Sequence, residues 1–435
     1  MTSRTPLHAF LVALAVSGCS LVLDTTNFIG STDAAVTDGG GVDSGDLDSG
    51  DLDSSIPDDA VSSPPITIVV TRSSEVVADL RVLFHDDAGD LLEALTTDAS
   101  GQVTSSAPGV AGATIFDPSS GAGQLELFTV VGLLPRDTIE FELTQSADAV
   151  RGVEVTPPGP FAGATEYRLQ SYCAAEMLVD PTAPFITCGV GNYTPLLVTA
   201  YMGGEVVAHS ALFATGELSA VTLPPWETSF VSIPVAVTAT APESVRVEAT
   251  LLDRGFGARV SPVVNGSATE LAILNGLERD VLISASGSRL VGGMEVSVQV
   301  RTLFLPDMLS TSAFAADLDS VPPLTAFALD RTDPARPGVS WTGVPTTGVH
   351  AEFRYLHEAQ AVSWRVFAPP GSSRIALPEL SSDLADLRPS TEAPSVLLEL
   401  VSGASFSWAA MRSRPLLHWS NRTSRMATTA AGGMF

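Results

Sequence analysis

The sequence predicts an all-β protein: a series of β-sandwich domains behind a signal peptide and a disordered acidic tether. Three observations carry that prediction. Turn residues recur about every ten positions from Ile66 onward, the rhythm of short strands in a sandwich. Thirty prolines and 36 glycines are spread among Val/Thr/Leu-rich runs, which favours strands and tight turns over long helices. "SVRVEATL" and "EVSVQVRTL" alternate apolar and polar residues, the period-two pattern of strands with one face buried.

Composition narrows the function classes. The 435 residues, 45% hydrophobic, suffice for several cores. A formal net charge of −27, with no lysine among the 22 basic residues, argues against a nucleic-acid partner, because phosphate binding needs clustered cations.

At the amino terminus Arg4 precedes an apolar stretch from His8 to Val16, and Val16, Ser17 and Gly18 are small residues just before Cys19. This is the anatomy of a secretory signal, over residues 1–18. The run is too short for a span, which needs about 20 apolar residues. Val16-Ser17-Gly18-Cys19 resembles the bacterial lipobox. The resemblance implies cleavage before Cys19, acylation of its thiol and anchoring in membrane lipid, and Ser20 in the next position implies an outer-membrane destination. The body would then face the periplasm or the cell surface.

Residues 19–64 form the tether. Ser20 to Pro64 holds ten aspartates and no basic residue, with the imperfect repeat Asp-Ser-Gly-Asp-Leu. Such a tract cannot build a core, and self-repulsion extends it to a reach of about 40 Å, with a limit of roughly 150 Å. Calcium is the sharper reading of the aspartates, but the spacing fails: counting from Asp46, Gly50 stands fifth and Asp51 sixth, against the EF-hand order.

Residues 65–154 form the first globular unit. "LRVLFH" and "LLEALTT" read as strands joined by the turn Asp86-Asp87-Ala88-Gly89, and Thr97-Asp98-Ala99-Ser100-Gly101 turns the chain again. These residues resemble the carboxypeptidase-regulatory-like or transthyretin-like β-sandwich, which implies a structural or binding unit. "HDDAGD" at 85–90 is read as turn chemistry rather than a metal site. Leu134-Pro135-Arg136-Asp137 turns between two further strands.

Residues 155–320, opened by the Pro/Gly linker "VTPPGPFAGA", hold the middle β-sandwich strands. With Cys19 taken by lipid, Cys173 and Cys188 remain, an even number in a compartment that allows disulfides, and a bridge between them is expected. Cys with His209 as nucleophile and base has no supporting motif, and zinc would need more ligands in reach.

Residues 321–435 place Trp341, Trp364 and Trp408 in β-like runs, a pattern that resembles a fibronectin type III or Ig-like sandwich, with "MATTAAGGMF" as a loose tail. Core positions are expected for these tryptophans rather than an exposed sugar platform. "HEAQA" from His357 has Ala361 where a second zinc ligand belongs, His350 lies seven residues before His357, and no G-x-S-x-G elbow occurs. No enzyme activity, cofactor or metal is therefore expected. The expected role is a lipid-anchored envelope protein displaying sandwiches for binding, adhesion or envelope structure, with an envelope protein or polysaccharide as partner. The alternative is a tethered hydrolase acting on polysaccharide.

Overall fold

The computed structural model describes residues 64 to 434 apart from short internal segments: 73–74, 119–123, 144–149, 172–174, 179–181, 191–192, 217, 241–244, 254–255, 292–293, 322, 344, 346, 358–359, 390–393, 404–406 and 416–424. The leader, Cys19, nearly all of the tether and Cys173 lie outside the described residues.

The described chain is almost all β, with one short α-helix and two short 3-10 helices (Pro306–Met308 and Ser382–Leu387) among the described residues. Its first strands are β1 (Ile66–Arg72), β2 (Glu75–Val76), β3 (Arg81–His85), β4 (Leu91–Thr96), β5 (Gln102–Ser105), β6 (Gly112–Asp117), β7 (Gln124–Val131) and β8 (Thr138–Leu143). The middle holds β9 (Val150–Thr156), β10 (Glu166–Gln170), β11 (Ala175–Leu178), β12 (Phe185–Val190), β13 (Tyr193–Met202), β14 (Glu205–Thr215), β15 (Ala220–Thr222), β16 (Phe230–Thr238), β17 (Val245–Asp253), β18 (Phe256–Arg259), β19 (Val264–Asn265), β20 (Glu270–Leu274), β21 (Asp280–Val291), β22 (Met294–Phe304) and β23 (Phe314–Asp317). Then come β24 (Ala326–Asp330), β25 (Gly338–Thr342), β26 (Gly348–His357), β27 (Gln360–Ala368), β28 (Arg374–Ala376), β29 (Ser395–Ser402), helix α1 (Trp408–Ser413) and β30 (Arg425–Met434). No helix among the described residues is long and apolar enough to cross a membrane.

Local chemistry sets the turns. In the Asp98 turn, Asp98 Oδ1 accepts from the backbone N–H groups of Ser100 (2.8 Å) and Gln102 (3.0 Å), and Gly101 supplies φ +71°. Thr97, 2% exposed, accepts from Leu80 N and donates to Val77 O. In the β3–β4 turn, Asp86 Oδ1 accepts from Asp90 N and Gly89 has φ +79°.

Pairing over long sequence distances joins these elements. A 13-stranded sheet runs β18-β17-β21-β22-β30-β29-β26-β27-β7-β6-β3-β4, with β19 attached to β17. Strands from the beginning, middle and end of the described chain thus share one sheet. The junction between beginning and end is parallel: β7 and β27 pair in register from Gln124↔Ala361 to Val130↔Phe367.

The loose tail expected from "MATTAAGGMF" is corrected by β30. This strand lies antiparallel between β22 (Val296↔Ala431) and β29 (Leu398↔Ala431). It lacks an alternating apolar face, but its backbone groups find partners on both sides, and ladder bonds need no particular side chain.

Cores form on both faces of the large sheet. Val349, Ala351 and Phe353 of β26 and Val362, Trp364 and Val366 of β27 face a core closed by Val339, Trp341 and Leu377. On the opposite face Ala113, Ile115, Phe128, Val130 and Phe367 meet Ile68 and Val70 of β1, Phe141 of β8 and Met411 of α1. A third core sets Val247, Ala249 and Leu251 of β17 and Val298 and Val300 of β22 against Ile233 of β16 and Phe314 of β23. The clean alternation of "SVRVEATL" and "EVSVQVRTL" supplies those inward residues. Burying a Phe, Leu or Val side chain completely stabilises the fold by about 1.5–3 kcal/mol.

Candidate functional site

Because β26, β27, β7, β6 and β3 are covered on both faces, polar residues on them are buried as well. The buried carboxylic residues among the described ones, Asp117, Glu126 and Glu352, all lie on the face turned towards β1. Asp117 on β6 stands directly opposite Glu126 on β7, and Glu126 stands directly opposite Ser363 on β27. One register step along, Phe128, Arg365 and Glu352 form the next row across β7, β27 and β26.

Ion pairs stitch this seam together. Arg365 reaches Glu126 Oε1 at 3.3 Å through Nη2 and Glu352 Oε1 at 3.4 Å through Nε, and its guanidinium lies 5.6 Å from the centre of the Phe128 ring. Glu352 also accepts from Arg354 (2.8 Å) and from Ser363 Oγ (2.7 Å). Arg72, reaching across from β1, bonds Asp117 Oδ1 at 2.7 Å. Burial opposes the charge of Glu352, but Arg365, then Arg354, His350 and Ser363 outweigh it and hold its carboxyl down to about 2. Glu126 goes the other way: burial pushes it up, and Asp117 and Glu352 add to the push against Arg365 and Arg72. Next to the seam, His350 Nδ1 lies 2.9 Å from Glu399 Oε2 and its ring stacks on Phe367.

The other face carries a neutral chain. His85 Nε2 lies 2.9 Å from Thr114 Oγ1, which lies 2.7 Å from Thr129 Oγ1, and Trp364 Nε1 donates to that same Thr129 hydroxyl at 2.8 Å. Burial, with a smaller push from Arg336 and against Asp86, lowers His85 to about 4 and keeps its imidazole neutral. With carboxylates only 0–8% exposed, the seam is closed to a substrate and acts as a clasp between strands.

The residues singled out in the sequence are placed as follows. Trp341 and Trp364 are core residues on strands, 5% and 0% exposed, whereas the β-like run expected around Trp408 is corrected: Trp408 opens helix α1, capped by Ser407 Oγ, and packs partly buried against the core. His85 of "HDDAGD" turns inward to Thr114, and no group of three or more metal-ligating residues occurs among the described ones. His209 is buried on β14 with its backbone paired to Glu227. Cys188 is buried on β12, whereas Cys19 and Cys173 lie outside the described residues. Sequence reasoning missed Glu126, Glu352 and Arg365. The available signal was that Phe128 and Val130, on the face of β7 that Glu126 shares, are apolar.

No known protein family matches the chain, and no curated protein matches it. Among solved structures it is similar to the Bacillus anthracis TIE protein over 59% of its own length and 50% of that chain, at 10% identity and a TM-score of 0.18. The chain thus spans half the length of that protein. It is also similar to the N-terminal four Ig domains of Dscam1 isoforms 6.9 and 1.9. The shares are 86% of this chain and 99% of that one at 10% identity and TM-score 0.13, and 85% and 97% at 8% and 0.12. Likenesses with TM-scores this low carry no argument about architecture or role.

Proposed function

We propose that this chain is a lipid-anchored envelope protein, held through acylated Cys19 in the outer membrane, that displays its β-sandwich body for binding, adhesion or envelope structure. The supporting observation is the position of β1, the first strand after the acidic tract. It pairs in parallel with β8 from Thr67↔Thr138 to Arg72↔Leu143, and antiparallel with β5 from Ile66↔Ser105 to Val69↔Gln102. Tension arriving along the tether therefore runs along a strand bonded on both sides, and loads those bonds in shear together rather than peeling them singly. A body held at arm's length against pull needs that geometry, and its partner is an envelope protein or polysaccharide.

A bridge between Cys173 and Cys188 belongs to this extracytoplasmic reading. It is supported by the hydrogen bond from Thr187 Oγ1 to Ser171 Oγ (2.7 Å), which sets Ser171, two residues before Cys173, beside the strand that carries Cys188.

Palmitate labelling with membrane fractionation tests the anchor. The parent is expected to label and pellet with the outer membrane, and Cys19→Ala to do neither. A Cys19→Ala protein that still labels sinks the reading. Crosslinking in intact cells then reads the partner: envelope proteins or polysaccharide are expected, and purely cytoplasmic partners overturn display.

A further inference from the structure

The seam holds more buried negative than positive charge. Asp117, Glu126 and Glu352 side chains are 0%, 8% and 5% exposed, while the guanidinium groups paired with them from β1 and β27, Arg72 and Arg365, are only partly buried, at 20% and 17%. Arg354, the third guanidinium, is half in solvent. Arg72 is engaged by Asp117 and Arg365 is divided between two glutamates. Like charges directly opposite on paired strands repel, and Asp117 faces Glu126 in just that way. Glu126 Oε2 is buried and without a hydrogen-bond partner among the described residues, a costly state for a carboxylate oxygen.

We propose that Glu126 holds a proton in the native protein and shares it with the carboxylate of Asp117 opposite, making the clasp between β6–β7 and β26–β27 a proton-loaded one that loosens as rising pH strips that proton. The proton is taken from solvent as the fold closes and returns there when Glu126 ionises. The groups facing Glu126 are Arg72 from β1, Asp117 from β6, Glu352 from β26, and Ser363 and Arg365 from β27. The raised native affinity of Glu126 for a proton agrees with the geometry. The sign follows: between the ordinary value of 4.5 and the raised native value, unfolding releases a proton. The unfolding equilibrium constant therefore rises by up to about tenfold per pH unit across that window and levels above it.

Two readouts on the full chain test this. Infrared spectroscopy at about pH 7 is expected to show a buried carboxylic-acid carbonyl band in the parent that Glu126→Gln lacks. Urea unfolding is expected to show stability falling as pH rises above 4.5 in the parent and that decline lost in Glu126→Gln, which keeps a hydrogen-bonding group but cannot ionise. If Glu126→Gln does not fold, the parent spectrum still decides. A parent without a carboxylic-acid band at neutral pH, or a decline that Glu126→Gln leaves unchanged, overturns the proposal.

Discussion

The indole N–H of Trp364 donates to the hydroxyl of Thr129, 2.8 Å away, across a pair of strands that joins residues 235 positions apart. Thr129 passes the contact on to Thr114, and Thr114 to His85, so one buried polar chain crosses β27, β7, β6 and β3. Every link is neutral, and each loses its partner if the next is removed.

Thr129→Val should therefore cost more than the loss of one hydrogen bond. It leaves Trp364 Nε1 buried and unpaired, at about 1–3 kcal/mol. The urea midpoint should fall with an unchanged slope. Thr114→Val should cost less in the Thr129→Val background than alone, because the two hydroxyls share one bond. Strict additivity in that double-mutant cycle would show that the chain does not act as a unit.

Acid should remove stability in two windows. The native pKa of His85 is depressed from 6.5 to about 4, so the unfolded chain binds more protons between those values. Its contribution is lost as pH falls from 6.5 through about 4. Glu352 is depressed from 4.5 to about 2, and its contribution is lost as pH falls from 4.5 through about 2. An NMR titration should find the His85 imidazole still neutral at about pH 6. An ordinary midpoint for that ring would show that burial does not govern it.

Gly101 and Gly109 allow backbone strain and collision to be separated. Both have positive φ, +71° and +81°, but a Cβ on Gly101 would sit 2.6 Å from Val70 O, whereas one on Gly109 meets nothing within 4 Å. Gly109→Ala should cost roughly 1 kcal/mol, the left-handed penalty alone. Gly101→Ala should cost clearly more, on the order of 2–3 kcal/mol, since β1 must also shift. Equal melting temperatures for the two variants would contradict this ordering.

The cysteines give a prediction independent of membrane attachment. Alkylated without reductant, the body should gain no label at Cys173 or Cys188, and with reductant it should gain two. Cys188→Ser should lose roughly 3 kcal/mol, the loop-closure contribution of a bridge spanning about 15 residues. Two labelled thiols in unreduced periplasmic protein would reject the pairing.

What was legible in the sequence was local. The alternation in "SVRVEATL" places Val247, Ala249 and Leu251 inward, and all three are buried. Asp98 and Gly101 form their turn through bonds only a few residues long, so residue identities suffice to read it. Partner choice was not legible. Nothing in "QLELFTVV" states that its parallel neighbour is "QAVSWRVFA", because backbone ladders are indifferent to sequence and the register is fixed by packing on both faces. Glu126 looks like a solvent-facing residue until a second sheet is placed over it, and β30 shows no strand pattern until two strands flank it.

The β7–β27 junction also governs the order in which the protein can mature. During synthesis and export β7 emerges some 230 residues before the strand that completes it, so the ladder edge later taken by β27 stays open while the chain lengthens. Contacts so distant close slowly, and an open strand edge beside Phe128 and Val130 invites association with other chains. Helpers that shield nascent strands should therefore set the yield of this protein more than its final stability does, and a fragment stopped before Gln360 should be an aggregating species rather than a smaller working one.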